Sequence, residues 1–244
     1  MNETLKKVLS TRKFTNRSNQ TVDIHSYTSK EQCHFIQEII KTNKFSKSIE
    51  IGFAFGISTL AITEEIVKNG GQHLVIDKFE HTGWGGYGID LIEETGFSGN
   101  VDFREEYCYK VLPQLLQEGR KFDFAYIDST KQFDWLLVNF FYLDKLLDIN
   151  GIIVFDDVNF PGIRKLLRYI SQFPNYKVHS QFPVNKEEKK KRSLARLLGA
   201  LPQPESLLRP EILKTNYELG INAPAIALQK IDDDKRNWDW HVSF

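Results

Sequence analysis

The chain has 244 residues, 41% hydrophobic and 26% charged, within the globular range and long enough for one α/β domain with a fully buried sheet. Lys and Arg number 32, as do Asp and Glu, so no net field draws in a nucleic acid or an anionic membrane, and a small-molecule partner is expected. Cys33 and Cys108, the only cysteines, are too few for a disulfide framework or a Cys-based zinc site. No signal-peptide core opens the chain and no apolar run nears the ~20 residues that span a bilayer, so the expected location is the cytoplasm.

Taken in chain order, residues 1–47 read as an N-terminal helical segment of a single domain covering 1–244. Its clearest element runs from Ser29 to Thr42: Cys33, Phe35, Ile36, Ile39 and Ile40 recur at helical spacing behind Ser29 as N-cap. Short apolar runs follow, SIEIG, HLVID, VDF, FDFAYID and GIIVFDD, alternating with the helical stretches ISTLAITEEIVKN, YKVLPQLLQEG and FDWLLVNFFYLDKLL. That alternation predicts βαβ units and a doubly wound, mainly parallel sheet. FAYI and IIVF are apolar at consecutive positions, as central strands covered on both faces must be. A helix, GIRKLLRYISQF, then leads to strands at YKVHSQF and APAIALQKI. Between those strands, residues 183–222 carry the charge run KEEKKKR at 186–192 and read either as a solvated connection with short helices or as a lid over a substrate pocket. The C-terminal NWDWHVSF, with Trp238, Trp240 and His241, is expected to form an edge-strand tail that packs or mediates a homodimer.

SIEIGFAFGIST sets Glu50, Gly52 and Gly56 between a strand and a helix beginning near Ser58. Glycines there permit a tight turn and close approach of a ligand, and the helix start offers free N–H groups. A phosphate-binding loop would need Lys and Ser or Thr after its last Gly, and a dinucleotide fingerprint would need G-x-G-x-x-G; the spacing here is G-x-x-x-G, suited to a ligand without a pyrophosphate. A tight turn needs glycines with or without a ligand, but Asp77 ends the next strand 25 positions after Gly52, where a ribose would meet it. Residues 78–100, rich in Gly and aromatics, are expected to cover the cofactor or the acceptor, with His81, Trp84 and Tyr87 as candidate lining.

From Ser48 to about Asp157 the sequence resembles the class I S-adenosylmethionine-dependent methyltransferases, and within them the small metal-dependent O-methyltransferases of the catechol and caffeoyl-CoA type. Glu50, Gly52, Gly56 and Ser58 match the E-x-G-x-x-x-G-x-S motif that floors the family's cofactor pocket. The resemblance implies that Asp77 holds the ribose and that Glu106, Tyr107 and Cys108 stand beside the base, although the family usually has small residues at the positions of Glu106 and Tyr107. It also implies a Rossmann-like seven-stranded sheet with an antiparallel C-terminal edge pair, around residues 175–182 and 223–231.

FDFAYID and GIIVFDD both end in Asp, at strand ends facing the same crevice as the glycine turn. Asp128, Asp156 and Asp157 converging there would repel one another, which a divalent cation such as Mg²⁺ would resolve; taken singly, each would equally serve as a helix cap or strand end. In the family an Asp is followed three positions later by a Lys beside the substrate hydroxyl, and an Asp-Asn pair comes after the next strand. Asp128, Lys131 and Asp156 match, and Asp157 replaces the Asn. The implied activity is methyl transfer from S-adenosylmethionine to an oxygen of a small molecule, with Asp128 and Lys131 catalytic, Asp128 also beside the cofactor, and Asp128, Asp156 and Asp157 as metal ligands. Metal-independent N- or O-methylation, or a non-catalytic binding role on the same fold, are the alternatives.

Overall fold

The computed structural model describes residues 1–183 and 214–243. The region read as helical at the N-terminus holds α1 (Glu3–Thr11) and α2 (Lys30–Asn43), but also a hairpin of β1 (Lys13–Thr15) and β2 (Thr21–Asp23). The hairpin's turn is made by polar side chains: Asn16 Oδ1 accepts from the backbone N–H of Ser18 and Gln20, and Asn19 takes φ 59°. Ser29 caps α2, its hydroxyl accepting from the Gln32 N–H at 3.2 Å.

The main sheet is built from β3 (Lys47–Ile51), β4 (Gln72–Ile76), β5 (Val101–Arg104), β6 (Phe122–Ile127), β7 (Leu147–Phe155), β8 (Tyr176–Phe182) and β9 (Ala225–Lys230), in the spatial order β5-β4-β3-β6-β7-β9-β8. The first five are mutually parallel; β9 runs antiparallel to β7 and to β8, giving the expected edge pair. Alternate residues of the central strands face opposite helix layers. Ile49, Ile51, Ala125, Ile127, Ile153 and Phe155 pack with Leu112 of α6 (Cys108–Gln117), Leu143 of α7 (Phe133–Leu146) and Leu166 of α8 (Pro161–Ile170). Phe124, Tyr126, Ile152 and Val154 pack instead with Ile36 and Ile40 of α2 and Ile62 and Ile66 of α3 (Ile57–Lys68). Coverage on both faces is why these strands read as unbroken apolar runs.

Residues 78–100 fold into α4 (Glu80–Gly83), α5 (Tyr87–Glu94) and a single 3₁₀ turn. The proposed lid or insertion at 183–222 falls largely outside the described residues; Leu219 and Ile221 near its end, and Ala223 just after it, join the α6–α8 core. The described residues of the C-terminal tail form no strand. Trp240 packs against Tyr169 and Phe173, the Arg236 guanidinium lies 3.5 Å from the Phe173 ring centre, and Trp238 is 97% exposed. Among the described residues no helix is long and apolar enough to cross a membrane.

Candidate functional site

Strand order reverses between β3 and β6, and the register there lines up the strand ends: Arg104, Ile76, Ile51, Ile127 and Phe155 stand side by side. The residues that follow are laced across by backbone hydrogen bonds, Gly52 N–H to Ile76 O (2.9 Å), Asp128 N–H to Ile51 O (3.0 Å) and Asp156 N–H to Ile127 O (3.0 Å). They border a cavity of about 630 Å³ at the carboxyl ends of the strands, where ligands of open α/β sheets bind. Of the sequence candidates, Gly52, Asp77, Glu106, Tyr107, Cys108, Asp128, Lys131, Asp156 and Asp157 line it. Glu50, Gly56 and Ser58 are not in the wall but behind it.

Glu50 shows why. It is fully buried, with Oε1 accepting from the Ser58 hydroxyl (2.5 Å) and Oε2 from the Thr59 hydroxyl (2.6 Å), while His73 Nε2 lies 2.9 Å from Oε2. The motif's Glu and Ser therefore tie β3 to the first turn of α3 and to β4. Gly52 has φ +100°, and a Cβ on it would lie 2.0 Å from the Asp128 carbonyl oxygen. Its missing side chain is required by the neighbouring strand end, whatever the ligand.

Asp77 clamps the turn from the other side: Oδ2 accepts from the Phe53 N–H at 2.8 Å, and Oδ1 from the Phe79 N–H at 2.8 Å. Beyond it, Tyr107 stacks on Tyr109 at 5.2 Å and meets the ring edges of Phe79 and the tilted Trp135, forming an aromatic rim. Glu106 accepts from the Tyr107 N–H and pairs with Lys110, and the backbone N–H bond in particular holds its carboxyl below the usual range. Burial pushes the Cys108 thiol up, so it is an uncharged wall group. Trp84 lines the cavity as expected; His81 pairs with Glu105 and, like Tyr87, stands outside it.

Across the cleft, the Lys131 ammonium bridges Asp128 Oδ1 at 2.7 Å and Asp157 Oδ2 at 2.8 Å. Burial works against its charge, but attraction to Asp128 and Asp157 outweighs that and raises the pKa above the ordinary lysine value. Lys131 is thus an ammonium with donors to offer. Asp156 is buried; Oδ2 accepts from the Tyr126 hydroxyl at 2.7 Å and Oδ1 from the Asp157 N–H at 2.7 Å. Burial, reinforced by the Asp128 carboxylate, lifts Asp156 to about 6. Among the described residues no three His, Cys, Asp or Glu side chains are placed to hold a metal ion. The expected set does not fit one: Lys131 bridges two of its carboxylates, and both oxygens of the third are engaged.

Sequence reasoning missed the wall contributed by His25, Ser26, Tyr27 and Gln32. The His25 ring meets Phe55 (5.0 Å) and Trp84 (5.9 Å), and Gln32 Nε2 donates to the Tyr126 hydroxyl at 3.3 Å. The signal for Gln32 was available, since Ser29 as N-cap puts it in the first turn of α2. Tyr126 was equally visible as the one polar atom in FAYI, but its partner Asp156 is set by strand order.

The family whose profile matches residues 3–168 is described as O-methyltransferase. Caffeoyl-CoA O-methyltransferase 1 of Eucalyptus globulus is 28% identical over 161 residues, covering 60% of this chain and 62% of that protein. Caffeoyl-CoA O-methyltransferase 2 of Petunia hybrida is 27% identical over 162 residues, covering 60% and 63%. The chain thus spans under two thirds of the length of these relatives. Among solved structures, an O-methyltransferase from Bacillus cereus in complex with SAH superposes with a TM-score of 0.60 at 23% identity, covering 73% of this chain and 83% of that one. The O-methyltransferase TomG from Streptomyces achromogenes, in complex with SAM, gives 0.59 at 18%, covering 73% and 82%. With the profile matching more than half of its length, the chain belongs to the O-methyltransferase family.

Proposed function

We propose that this protein transfers the methyl group of S-adenosylmethionine to an oxygen of a small molecule in the cytoplasm. The observation that carries the reading is the in-register row of strand ends, with a glycine turn and Asp77 on one side of the cavity and the Asp128–Lys131 pair on the other. The SAH and SAM held by the two structural neighbours, and the activity in the names of the sequence relatives, support it.

In this reading the cofactor's ribose hydroxyls donate to Asp77, its adenine lies along Tyr107 and Cys108, and its methionine end follows Gly52–Ala54. Asp128 would then stand beside the cofactor's methyl-donating end, where the bound cofactor would supply an activated methyl group, and Lys131, His25 and Tyr27 would border the acceptor. The acceptor oxygen forms the new C–O bond as the C–S bond breaks and its electron pair returns to sulfur, leaving neutral SAH. The acceptor's hydroxyl proton passes to the Asp128 carboxylate, whose Oδ2 takes no hydrogen bond among the described residues. Holding the two reactants in line is the main contribution of such a cleft.

Titration calorimetry with SAM and SAH tests the first half, and SAH release in the presence of phenolic hydroxyl acceptors, caffeoyl-CoA among them, tests the second. Micromolar binding followed by acceptor-dependent SAH release is expected. Absence of binding by either ligand would overturn the reading; binding without transfer to any hydroxyl acceptor would leave only a cofactor-binding protein.

A further inference from the structure

We propose that the resident cation of this site is the Lys131 ammonium itself and that the protein binds no divalent metal there; the catalytic part of this inference rests on the methyl-transfer reading above. A hard dication of this kind takes six or more oxygen ligands, with carboxylates supplying the charge. Here the three carboxylates already have partners. Asp128 and Asp157 share one ammonium, at 2.7 and 2.8 Å, and a dication drawn to both would have to expel a like charge from between them. Asp156 is turned away from that duty by a donor it cannot shed cheaply. The Tyr126 side chain is fully buried, its hydroxyl donates to Asp156 Oδ2 at 2.7 Å, and Gln32 Nε2 reaches the same hydroxyl from α2. The chain also supplies Asp157, with a left-handed φ of 54°, where a neutral amide would leave Lys131 only one carboxylate.

An ammonium carries three N–H donors. Two are spent on Asp128 and Asp157, and Lys131 lines the cavity. The third is the group that holds the acceptor oxygen, so that charge developing on it is met by a fixed cation of this chain. The remaining negative charge of the cluster is met by the sulfonium of the cofactor and, at the partly exposed Asp128 and Asp157, by water.

The test follows the electron paramagnetic resonance signal of free Mn²⁺ during titration of the full chain, with and without SAH, on wild type, Lys131→Gln and Asp128→Asn. Calorimetry with SAH on the same samples reports folding and the cofactor site separately. The wild type should leave Mn²⁺ free, and Lys131→Gln, which frees oxygens on two carboxylates, should bind it. Mn²⁺ bound by the wild type and lost in Asp128→Asn overturns the proposal, as does a Lys131→Gln protein that still binds SAH but takes up no Mn²⁺. A wild type that binds no SAH defeats the methyl-transfer reading instead and leaves the Mn²⁺ result to stand on its own.

Discussion

On the β3–β4–β5 side of the cleft the shape is set by a backbone turn, bent at Gly52 and clamped by Asp77, beside a rim of Phe79 and Tyr107. On the β6–β7 side the wall is side-chain charge, three carboxylates and an ammonium gathered from two strand ends and steadied by α2 through Gln32 and Tyr126. The first kind of site is encoded within about thirty consecutive residues, because turn, helix start and acidic clamp follow one another along the chain. The second exists only once β6 and β7 lie side by side and α2 has docked beneath them. Backbone sites tolerate little change in shape, whereas charge sites tolerate shape and depend on who is paired with whom.

The largest effect should come from the residue where the two sides touch. Gly52→Ala would place a Cβ 2.0 Å from the Asp128 carbonyl oxygen at φ +100°, a clash of backbone with backbone. The expected cost is about 3–5 kcal/mol, read as a fall in melting temperature with loss of SAH binding. Gly70→Ala, at φ +72° with open space around it, is the control and should cost only about 1 kcal/mol. Equal costs would mean that the Gly52 contact with β6 is unimportant.

Asp77→Ala separates the sides. It removes the acceptor for Phe53 and Phe79 N–H and the proposed ribose contact together, and calorimetry should show SAH binding weakened about 100-fold, or ~2.7 kcal/mol. Lys131→Gln should leave SAH affinity within a few-fold of wild type. If it weakens SAH as much as Asp77→Ala does, the cleft works as one unit and the division fails.

The same division explains what the sequence made legible. Strand and helix alternation gave the sheet, its parallel core and the glycine turn, since each is a local pattern repeated along the chain. Glu50 and Ser58 stood out in the sequence as motif positions, but their contact with each other and with His73 could not be read from spacing. For Lys131 the positions that bring it near Asp128 were visible; its second partner, Asp157, follows another strand and fixes it as an ammonium. The hairpin at 13–23 and the wall of His25 and Tyr27 were missed because two three-residue strands carry too little periodicity to stand out.

Glu80 is a carboxyl buried on the backbone side of the cleft. Its Oε1 accepts from the Gly88 and Ile89 N–H at the start of α5, and burial pushes its pKa up to about 7 despite those bonds. Because the folded value lies above the ordinary 4.5, the folded protein holds this proton more tightly than the unfolded chain does. The stability it contributes is present below pH 4.5 and is lost as pH rises through about 7. Thermal melts should therefore show wild type losing about 3 kcal/mol relative to Glu80→Gln across that window, with a flat difference above it. A difference that does not change with pH would mean that Glu80 is ionised throughout.

Tyr126→Phe should have the smallest effect and probes the charge side alone, because Tyr126 does not line the cavity. It removes one hydroxyl and leaves Asp156 Oδ2 buried without that donor, a loss of about 1–2 kcal/mol at pH 7.5, where Asp156 is ionised. Below its folded pKa of about 6, Asp156 carries a proton and the bond is no longer charge-assisted, so by pH 5 the cost should fall to about 0.5–1 kcal/mol. The sign follows from which form the hydroxyl favours: Tyr126 stabilises the carboxylate, so its removal hurts most where the carboxylate prevails. Melts at the two pH values, with SAH affinity measured alongside, decide the matter. An unchanged SAH affinity with a pH-dependent stability loss places Tyr126 in the support of Asp156, whereas a loss equal at both pH values would make it a packing residue and remove the buried donor from the account of this half of the cleft.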